Sequence, residues 1–287
     1  MISRGCRRAG SKDQTLIPET RSPLEEYPMS LTVCVLGSGS KGNSTYVSCG
    51  DTSILLDAGL SGKEIERRMR SRGLRIGDIN GIIVSHEHID HIQGVGVLSR
   101  RYRIPVYATG PTLSVCSKRL GKLEDVSLFE SGRFFRVGEL GVHPFSVSHD
   151  SADPVGFTIQ NGNSKAGIAT DLGVSTRLVE SHLRQCNLLI LEANHDPKML
   201  EDGPYPWEVK QRVRGRLGHL SNEQSKDLLG DLLHESLRHV ILAHISKTNN
   251  DPEKACDTVC AALSGVKNDV PHLSAASQDE AGDVLVV

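Results

Sequence analysis

The stretch that most constrains this chain is residues 85–91, which read SHEHIDH and follow the apolar run Gly81-Ile82-Ile83-Val84. A run of this kind is typical of a buried strand, so we expect the polar stretch to leave the carboxyl end of that strand as a tight loop. Such sheet edges are where α/β folds place their functional sites. The sequence therefore predicts a sheet with three imidazoles and an aspartate grouped at one edge.

The spacing within this stretch favours two neighbouring metal ions. His86 and His88 alternate around one residue and can converge on a single ion, while Asp90 and His91 turn away from it. Imidazole nitrogen and carboxylate oxygen are the ligands expected for zinc, manganese or iron. The alternative is a polar loop whose histidines face water, but a solvated loop has no reason to hold this order directly after a buried strand.

Length and charge narrow the class of protein. The chain has 287 residues, of which 38% are hydrophobic, and a net charge of -2, so it can build a sizeable core and does not have the charge of a protein that coats nucleic acid. Residues 1–28 are polar with three prolines, which predicts a disordered extension. No linker divides the remainder, so we expect one domain over 29–287, and no run of about 18 apolar residues suggests a membrane span.

The seven cysteines are scattered, odd in number and without a C-x-x-C pair. This pattern favours a reduced, cytoplasmic location and gives no indication of a catalytic or metal-binding thiolate.

The order of predicted elements indicates the architecture. Strands with helices come first, shorter strands fill the middle, and strands with helices return at the end, which predicts an α+β fold of two mixed sheets between helix layers, an αββα sandwich. Predicted elements include a helix over 92–101, a hairpin of 155–160 with 165–170, and a buried strand over 187–191. Four strand ends carry potential ligands, at His86, His149, Asp171 and His195.

The motif His86-x-His88-x-Asp90-His91 resembles the signature of the metallo-β-lactamase-fold hydrolases. The resemblance implies two divalent metal ions and assigns the ligands residue by residue. His86, His88 and His149 would hold the first ion, Asp90, His91 and His244 would hold the second, and Asp171 would bridge them. Two such ions can generate hydroxide and brace both oxygens of a displacement.

Several longer segments look like the YycJ/WalJ exonuclease group of this fold: 36–45, 55–61, 85–94, 191–196, 218–223 and 242–251. That resemblance implies a cytosolic bacterial enzyme that cuts DNA from the 5′ end. More distantly, the chain is similar to tRNase Z and to phosphodiesterases that open cyclic ribose phosphates.

Other polar residues near these motifs are candidates for supporting or binding roles. Asp57 ends an apolar run, where it would either cap a loop or hold a metal-binding histidine. His219 precedes a helix opened by a predicted capping box at Ser221, and the amides there could receive a phosphate; a histidine of the capping loop is the alternative. We assign catalytic roles to Asp90, Asp171 and His219, a supporting or substrate role to His195, and phosphate contacts to the basic residues Lys210, Arg212, Arg214 and Arg216.

Three functions are compatible with these residues. The first is a two-metal hydrolase that cleaves phosphodiester bonds, as a 5′-to-3′ DNA exonuclease. The second is a small-molecule phosphodiesterase, or an ester or lactone hydrolase, of the same fold. The third is a metal-binding scaffold without activity, which the complete ligand set disfavours.

Overall fold

Two mixed β-sheets lie face to face between two layers of helices, which confirms the predicted αββα sandwich. The computed structural model describes residues 30–287, so the predicted disordered extension at 1–28 lies outside the described residues. In that part of the chain the strands are β1 Thr32–Gly37, β2 Ser44–Cys49, β3 Thr52–Leu56, β4 Gly81–Ile83, β5 Val106–Thr109, β6 Val126–Phe129, β7 Phe135–Val137, β8 Leu140–Ser146, β9 Val155–Asn161, β10 Ser164–Ala169, β11 Leu188–Glu192, β12 His239–Ala243, β13 His272–Ala275 and β14 Leu285–Val286.

The described residues also form α-helices. They are α1 Gly62–Ser71, α2 Ile89–Ile92, α3 Val95–Tyr102, α4 Gly110–Leu120, α5 Arg177–Leu183, α6 Pro197–Asp202, α7 Trp207–Val213, α8 Asn222–Leu232 and α9 Pro252–Cys260. None of the helices in the described range is long and apolar enough to span a bilayer.

The two sheets repeat one pairing scheme. The first has the order β14-β1-β2-β3-β4-β5-β6 and the second β13-β12-β11-β10-β9-β8-β7. In these orders the first sheet has three antiparallel pairings and then three parallel ones, whereas the second has three parallel pairings and then three antiparallel ones, the change falling at β3 in the first sheet and at β10 in the second. Parallel neighbours present their carboxyl ends at one edge, so β3, β4, β10, β11 and β12 deliver their following residues to that edge.

Three apolar layers hold the sandwich together. Side chains such as Val47 and Phe157 fill the space between the sheets. The first sheet packs on α1, α3 and α4, and the second on α5, α8 and α9. Strands buried on both faces explain why the parallel segments read as continuous apolar runs in the sequence.

Several local predictions are confirmed. The hairpin forms from β9 and β10. Ser221 caps α8 in a full capping box with Gln224, and Asp251 caps α9 ahead of Pro252. These side chains accept hydrogen bonds from amides that a helix start would otherwise leave unpaired.

The predicted helix over 92–101 was wrong in its extent, because the chain forms α2 and α3 instead. The break lies at Gly94, whose amide donates to the Ala58 carbonyl over 2.7 Å. A Cβ atom on Gly94 would lie 2.4 Å from the Leu60 carbonyl oxygen. This close approach ties the helix pair to the loop after β3, which holds the end of the histidine motif in place.

Candidate metal centre

Three of the four predicted strand ends, at His86, His149 and Asp171, converge, whereas the fourth, at His195, does not. His86 and the short helix α2 follow β4, Asp171 follows β10, His244 follows β12, and His149 lies in the loop between β8 and β9. Asp57, Asp171 and His244 adopt left-handed backbone conformations, with φ of 59°, 56° and 55°. This region is unfavourable for most residues other than glycine, and such strain is common at functional sites.

A first group of donor atoms comes from three histidines. His88 Nδ1 lies 3.1 Å from His86 Nε2 and 3.3 Å from His149 Nε2. Nitrogens bound tetrahedrally to one zinc ion at 2.0–2.1 Å would be about 3.3 Å apart. The spacing of these three nitrogens therefore fits a single divalent ion.

A second group lies beside the first. Asp90 Oδ2 is 3.7 Å from His91 Nε2 and 3.6 Å from His244 Nε2. His244 Nε2 is buried and has no hydrogen-bond partner among the described residues, which is costly unless another group binds it. A divalent ion between these three atoms would satisfy it.

Asp171 lies between the two groups. Its Oδ1 atom is 3.7 Å from His149 Nε2 and 3.5 Å from His244 Nε2, and its Oδ2 atom is 3.2 Å from His91 Nε2. One carboxylate thus reaches donor atoms of both groups, as a bridging ligand must. The nitrogen and oxygen donors suit zinc, manganese or iron, and their grouping supports the binding of divalent ions.

The protonation of these residues follows from burial and from neighbouring charges. Burial, together with the neighbouring His91, lowers the pKa of His86. Burial also opposes a charge on His91 and His244, but the carboxylates around them, Asp171 foremost, together outweigh it and raise the pKa of both. In turn these two imidazoles hold the pKa of Asp171 well below its usual range despite burial. The carboxylates at the centre are therefore ionised and need positive partners.

Each buried histidine of the two groups has its second nitrogen fixed by a neighbour. His86 Nδ1 lies 3.0 Å from Ser85 Oγ, and His149 Nδ1 lies 3.2 Å from the Gly218 carbonyl oxygen. Asp57 Oδ2 lies 2.7 Å from His91 Nδ1, while its Oδ1 accepts a hydrogen bond from the Ser85 amide. Of the two roles open to Asp57 from the sequence, the structure places it against a histidine of the centre.

Glu192, the last residue of β11, was not among the residues predicted from the sequence. This carboxylate is fully buried, and its Oε1 atom lies 2.8 Å from His219 Nδ1 and 3.3 Å from His244 Nδ1. Its Oε2 atom accepts hydrogen bonds from the amides of Leu172 and Leu220. Burial opposes the charge, but His219 lowers the pKa of Glu192. The signal was a carboxylate directly after an apolar run, as at Asp57.

His195 lies outside these groups. Side chains along an extended chain alternate, so Glu192 and Asn194 share one side, and Asn194 Nδ2 lies 3.1 Å from His244 Nδ1. His195 falls on the other side, where it is buried with its Nδ1 atom unpaired and forms a backbone bridge with Ser221. Burial lowers the pKa of His195 to about 4, so this imidazole is neutral.

An open cavity of about 790 Å³ lies over the centre. Its floor includes His88, Asp90, His149, Asp171, His219 and His244, and its walls include Lys118, Arg119 and Arg212. A cavity of this size accommodates a nucleotide-sized ligand, since ligand sites typically measure about 300–1,000 Å³.

The other residues that the sequence predicts as substrate contacts lie against other parts of the protein or face solvent. Ser221 is buried, and its hydroxyl and amide are used in the capping box of α8. The Asn222 amide donates to the His195 carbonyl. Lys210 Nζ donates to the Glu201 carbonyl oxygen, and the Arg214 guanidinium lies over the Trp207 ring. Arg216 is exposed and, like Lys210 and Arg214, does not line the cavity.

None of the described cysteines belongs to a donor group of the centre. Burial raises the pKa of Cys34 and Cys116 to about 11 and that of Cys186 to about 12. These side chains are therefore thiols at neutral pH, and the metal groups within the described residues contain only histidine and carboxylates.

Comparison with known proteins adds three similarities. A family model described as a β-lactamase superfamily domain matches residues 52–245. The chain is 38% identical over 237 residues to exodeoxyribonuclease YycJ of Bacillus anthracis, covering 82% of this chain and 90% of that protein, and 36% identical to exodeoxyribonuclease WalJ of Streptococcus pneumoniae, covering 80% and 87%. In fold it is similar to the crystal structure of the metallo-β-lactamase fold protein YhfI from Bacillus subtilis, with a TM-score of 0.70 and 16% sequence identity. The match covers 90% of this chain and 100% of that chain.

Proposed function

The chain belongs to the β-lactamase superfamily, among the relatives of YycJ and WalJ, and we propose that it is a two-metal exonuclease that degrades DNA from the 5′ end. Membership of this family makes it a metal-dependent hydrolase. The names of both curated relatives support a phosphodiester substrate.

One observation carries the proposal: Asp171 lies between two groups of three donor residues at the floor of an open cavity. In our assignment His86, His88 and His149 hold one divalent ion, and Asp90, His91 and His244 hold the other. Zinc and manganese both suit these ligands, and iron fits them as well. When bound, such a pair lowers the pKa of water to roughly 7 and so supplies a nucleophile, and it also offsets the charge of a phosphodiester.

His219 is well placed to transfer a proton to the leaving group. It is partly exposed, with 20% of its side chain accessible, and it lines the cavity beside the two groups. Its Nδ1 atom is engaged by Glu192, which leaves the Nε2 atom for the cavity. In our proposal Nε2, on the cavity side of the ring, passes a proton to the departing sugar oxygen.

The cavity favours a polymer over a small diester. A small-molecule hydrolase would be expected to enclose its substrate in a narrow pocket. Here the cavity measures about 790 Å³ and carries Lys118, Arg119 and Arg212 on its walls. Cationic walls around an open site suit a phosphate backbone. The reduced cysteines are in keeping with the cytoplasmic location that we propose for such an enzyme.

The test is digestion of a 5′-phosphorylated single-stranded oligonucleotide by protein loaded with manganese or zinc. With a label at the 3′ end, digestion from the 5′ end gives a ladder that shortens one nucleotide at a time, while a 5′ label is released at once as a mononucleotide. His86→Ala removes one proposed ligand and should abolish both products.

His143→Ala is the matched control. His143 lies on β8 with its Nε2 atom 3.2 Å from the Gly132 carbonyl oxygen, and it is in neither donor group. This variant should keep full activity. Internal cuts, or digestion from the 3′ end, would contradict the proposed polarity, and no cleavage by fully metal-loaded protein would favour the small-molecule phosphodiesterase.

A further inference from the structure

We propose that Lys118 and Arg119, in the last turn of α4, bind the sugar–phosphate backbone of the single strand that enters the site. This inference rests on the proposed nuclease function. It assigns the main electrostatic contact to α4, whereas the sequence pattern pointed to the basic residues of 210–216.

The cavity over the metal centre has a wall formed by α4. Val115, Cys116, Lys118 and Arg119 of this helix line it, and Arg212 of α7 lines it as well. Val115 is 61% exposed, and Ile89, which also lines the cavity, is 47% exposed. Exposed apolar side chains beside two cations match the two parts of a nucleotide, a base with its sugar and a charged phosphate.

Three of the four cations of the 210–216 segment are already engaged by the protein, and the fourth, Arg216, does not line the cavity. Arg212 Nε donates to Asp150 Oδ2 over 2.6 Å, and Lys210 Nζ donates to the Glu201 carbonyl oxygen over 2.6 Å. Arg214 donates to Gln211 and lies 4.8 Å from the centroid of the Trp207 ring. To bind a phosphate, Arg212 must first exchange or share its carboxylate partner, which reduces what it contributes.

Lys118 and Arg119 have no such partner. Both are exposed, and neither makes a hydrogen bond or ion pair with any other described residue. Their charges suit the carboxyl end of α4, where the helix dipole is negative. The dipole accounts for basic residues at this helix end but not for their position on the cavity wall, where a phosphate would find two unpaired cations.

Phosphate binding and helix stabilisation by Lys118 and Arg119 predict different effects of salt on the affinity for DNA. Binding of a single strand releases counterions, and the slope of log affinity against log salt is about −0.7 for each phosphate that the protein neutralises. Lys118→Ala with Arg119→Ala should therefore make the slope less steep by about 1.4. Helix stabilisation alone predicts no change in slope.

The experiment measures binding and turnover on the metal-loaded enzyme. Anisotropy of a labelled phosphorothioate 20-mer, which is charged but cleaved slowly, gives the affinity between 50 and 300 mM KCl. At 150 mM the double variant should bind about tenfold more weakly, and its KM for a DNA 20-mer should rise to the same extent with kcat unchanged. Hydrolysis of the p-nitrophenyl ester of thymidine 5′-phosphate, which has no further backbone phosphate for Lys118 and Arg119 to bind, should stay at the wild-type rate.

Lys63→Ala with Arg70→Ala is the matched control, because it removes two exposed cations of α1 that do not line the cavity. It should leave the salt slope at the wild-type value. An equal loss of slope in both double variants, or in neither, would overturn the assignment to α4. Failure of the wild-type enzyme to cleave any DNA would count against the nuclease function, while the anisotropy slopes would still decide the role of α4.

Discussion

The Oε1 atom of Glu192 lies 2.8 Å from the Nδ1 atom of His219, and this contact links the donor groups to the open cavity. Asp171, Glu192, His219 and His244 all present an atom within 4.8 Å of the others. A fully buried carboxylate in this position holds the ring of His219 in one orientation. The proton transfer that we assign to His219 therefore depends on Glu192.

Glu192→Gln and His219→Asn should each lower kcat on an oligonucleotide by about 10²- to 10³-fold, because both remove the same proton transfer. The combined variant should lose little more than the single ones, since residues that act as a unit are not additive. A p-nitrophenyl ester, whose leaving group needs no proton, should lose less than about tenfold. Steady-state kinetics on both substrates measures this.

Metal content provides the control for this pair, since Glu192 also lies 3.3 Å from His244 Nδ1. If mass spectrometry finds both ions retained, lost metal does not explain the effect. Effects that multiply in the combined variant would show that the two residues act separately.

Asp57→Asn should weaken metal binding by about 10- to 100-fold, the usual effect of losing a partner that orients a ligand. Asp57 Oδ2 lies 2.7 Å from His91 Nδ1, and the amide keeps the shape of the side chain but removes its charge. Asparagine also tolerates the left-handed backbone at this position, where φ is 59°. Competition with a chelator measures the affinity.

Asp78→Asn is the matched variant, because Asp78 pairs with Arg75 on the surface, where its side chain is 49% exposed. Unchanged affinity in this variant separates the loss of a specific contact from a general loss of negative charge. Equal metal affinity in Asp57→Asn and the wild type would show that Asp57 does not support metal binding.

Much of this centre could be predicted because its residues follow recognisable strands. His86, His149 and Asp171 each come after an apolar or β-branched segment, and the edge of the sheet brings them together. Spacing alone could not identify Glu192. Successive residues of a strand face opposite sides, so the side that a polar residue faces depends on where the strand ends. A shift of that end by one residue exchanges the two sides. The sequence analysis chose His195, whereas Glu192 and Asn194 face the centre.

The fold could be predicted from the sequence to about the same extent as the centre. The order of elements indicated the αββα sandwich, since long apolar runs require burial on both faces. The edge strand β13 was not predicted, because His272–Ala275 carries little apolar character and is defined by its pairing with β12. Gly94 divides the predicted helix over 92–101 for a reason that lies in tertiary structure, its contact with the loop after β3.

Removal of metal should abolish activity and lower the melting temperature. A ligand present at 1,000 times its dissociation constant stabilises the folded state by about 4 kcal/mol, which corresponds to about 10 °C for a domain of this size. Addition of manganese or zinc to chelator-treated protein should restore both properties, as scanning fluorimetry and the nuclease assay would show.

His86→Ala should show a much smaller thermal shift with metal, because one donor group is then incomplete. The His143→Ala variant should respond as the wild type does. A melting temperature that chelation leaves unchanged in the wild-type protein would indicate that the donor groups do not hold ions.

Gly59→Ala should disrupt the centre through the backbone. A Cβ atom at this position would lie 1.6 Å from the Asp90 carbonyl oxygen and 2.7 Å from the Asn43 amide nitrogen, and neither backbone group can move away without displacing the donor motif. We expect a loss of about 3 kcal/mol or more in the free energy of unfolding, together with weaker metal binding.

Gly230→Ala is the control, since its Cβ atom would meet nothing within 4 Å inside α8. Alanine is favoured over glycine in a helix by roughly 0.5–1 kcal/mol, so this variant should be as stable as the wild type or more so. Denaturant unfolding with metal titration separates the two, and a Gly59→Ala protein of normal stability and metal affinity would show that the loop after β3 does not fix the position of Asp90.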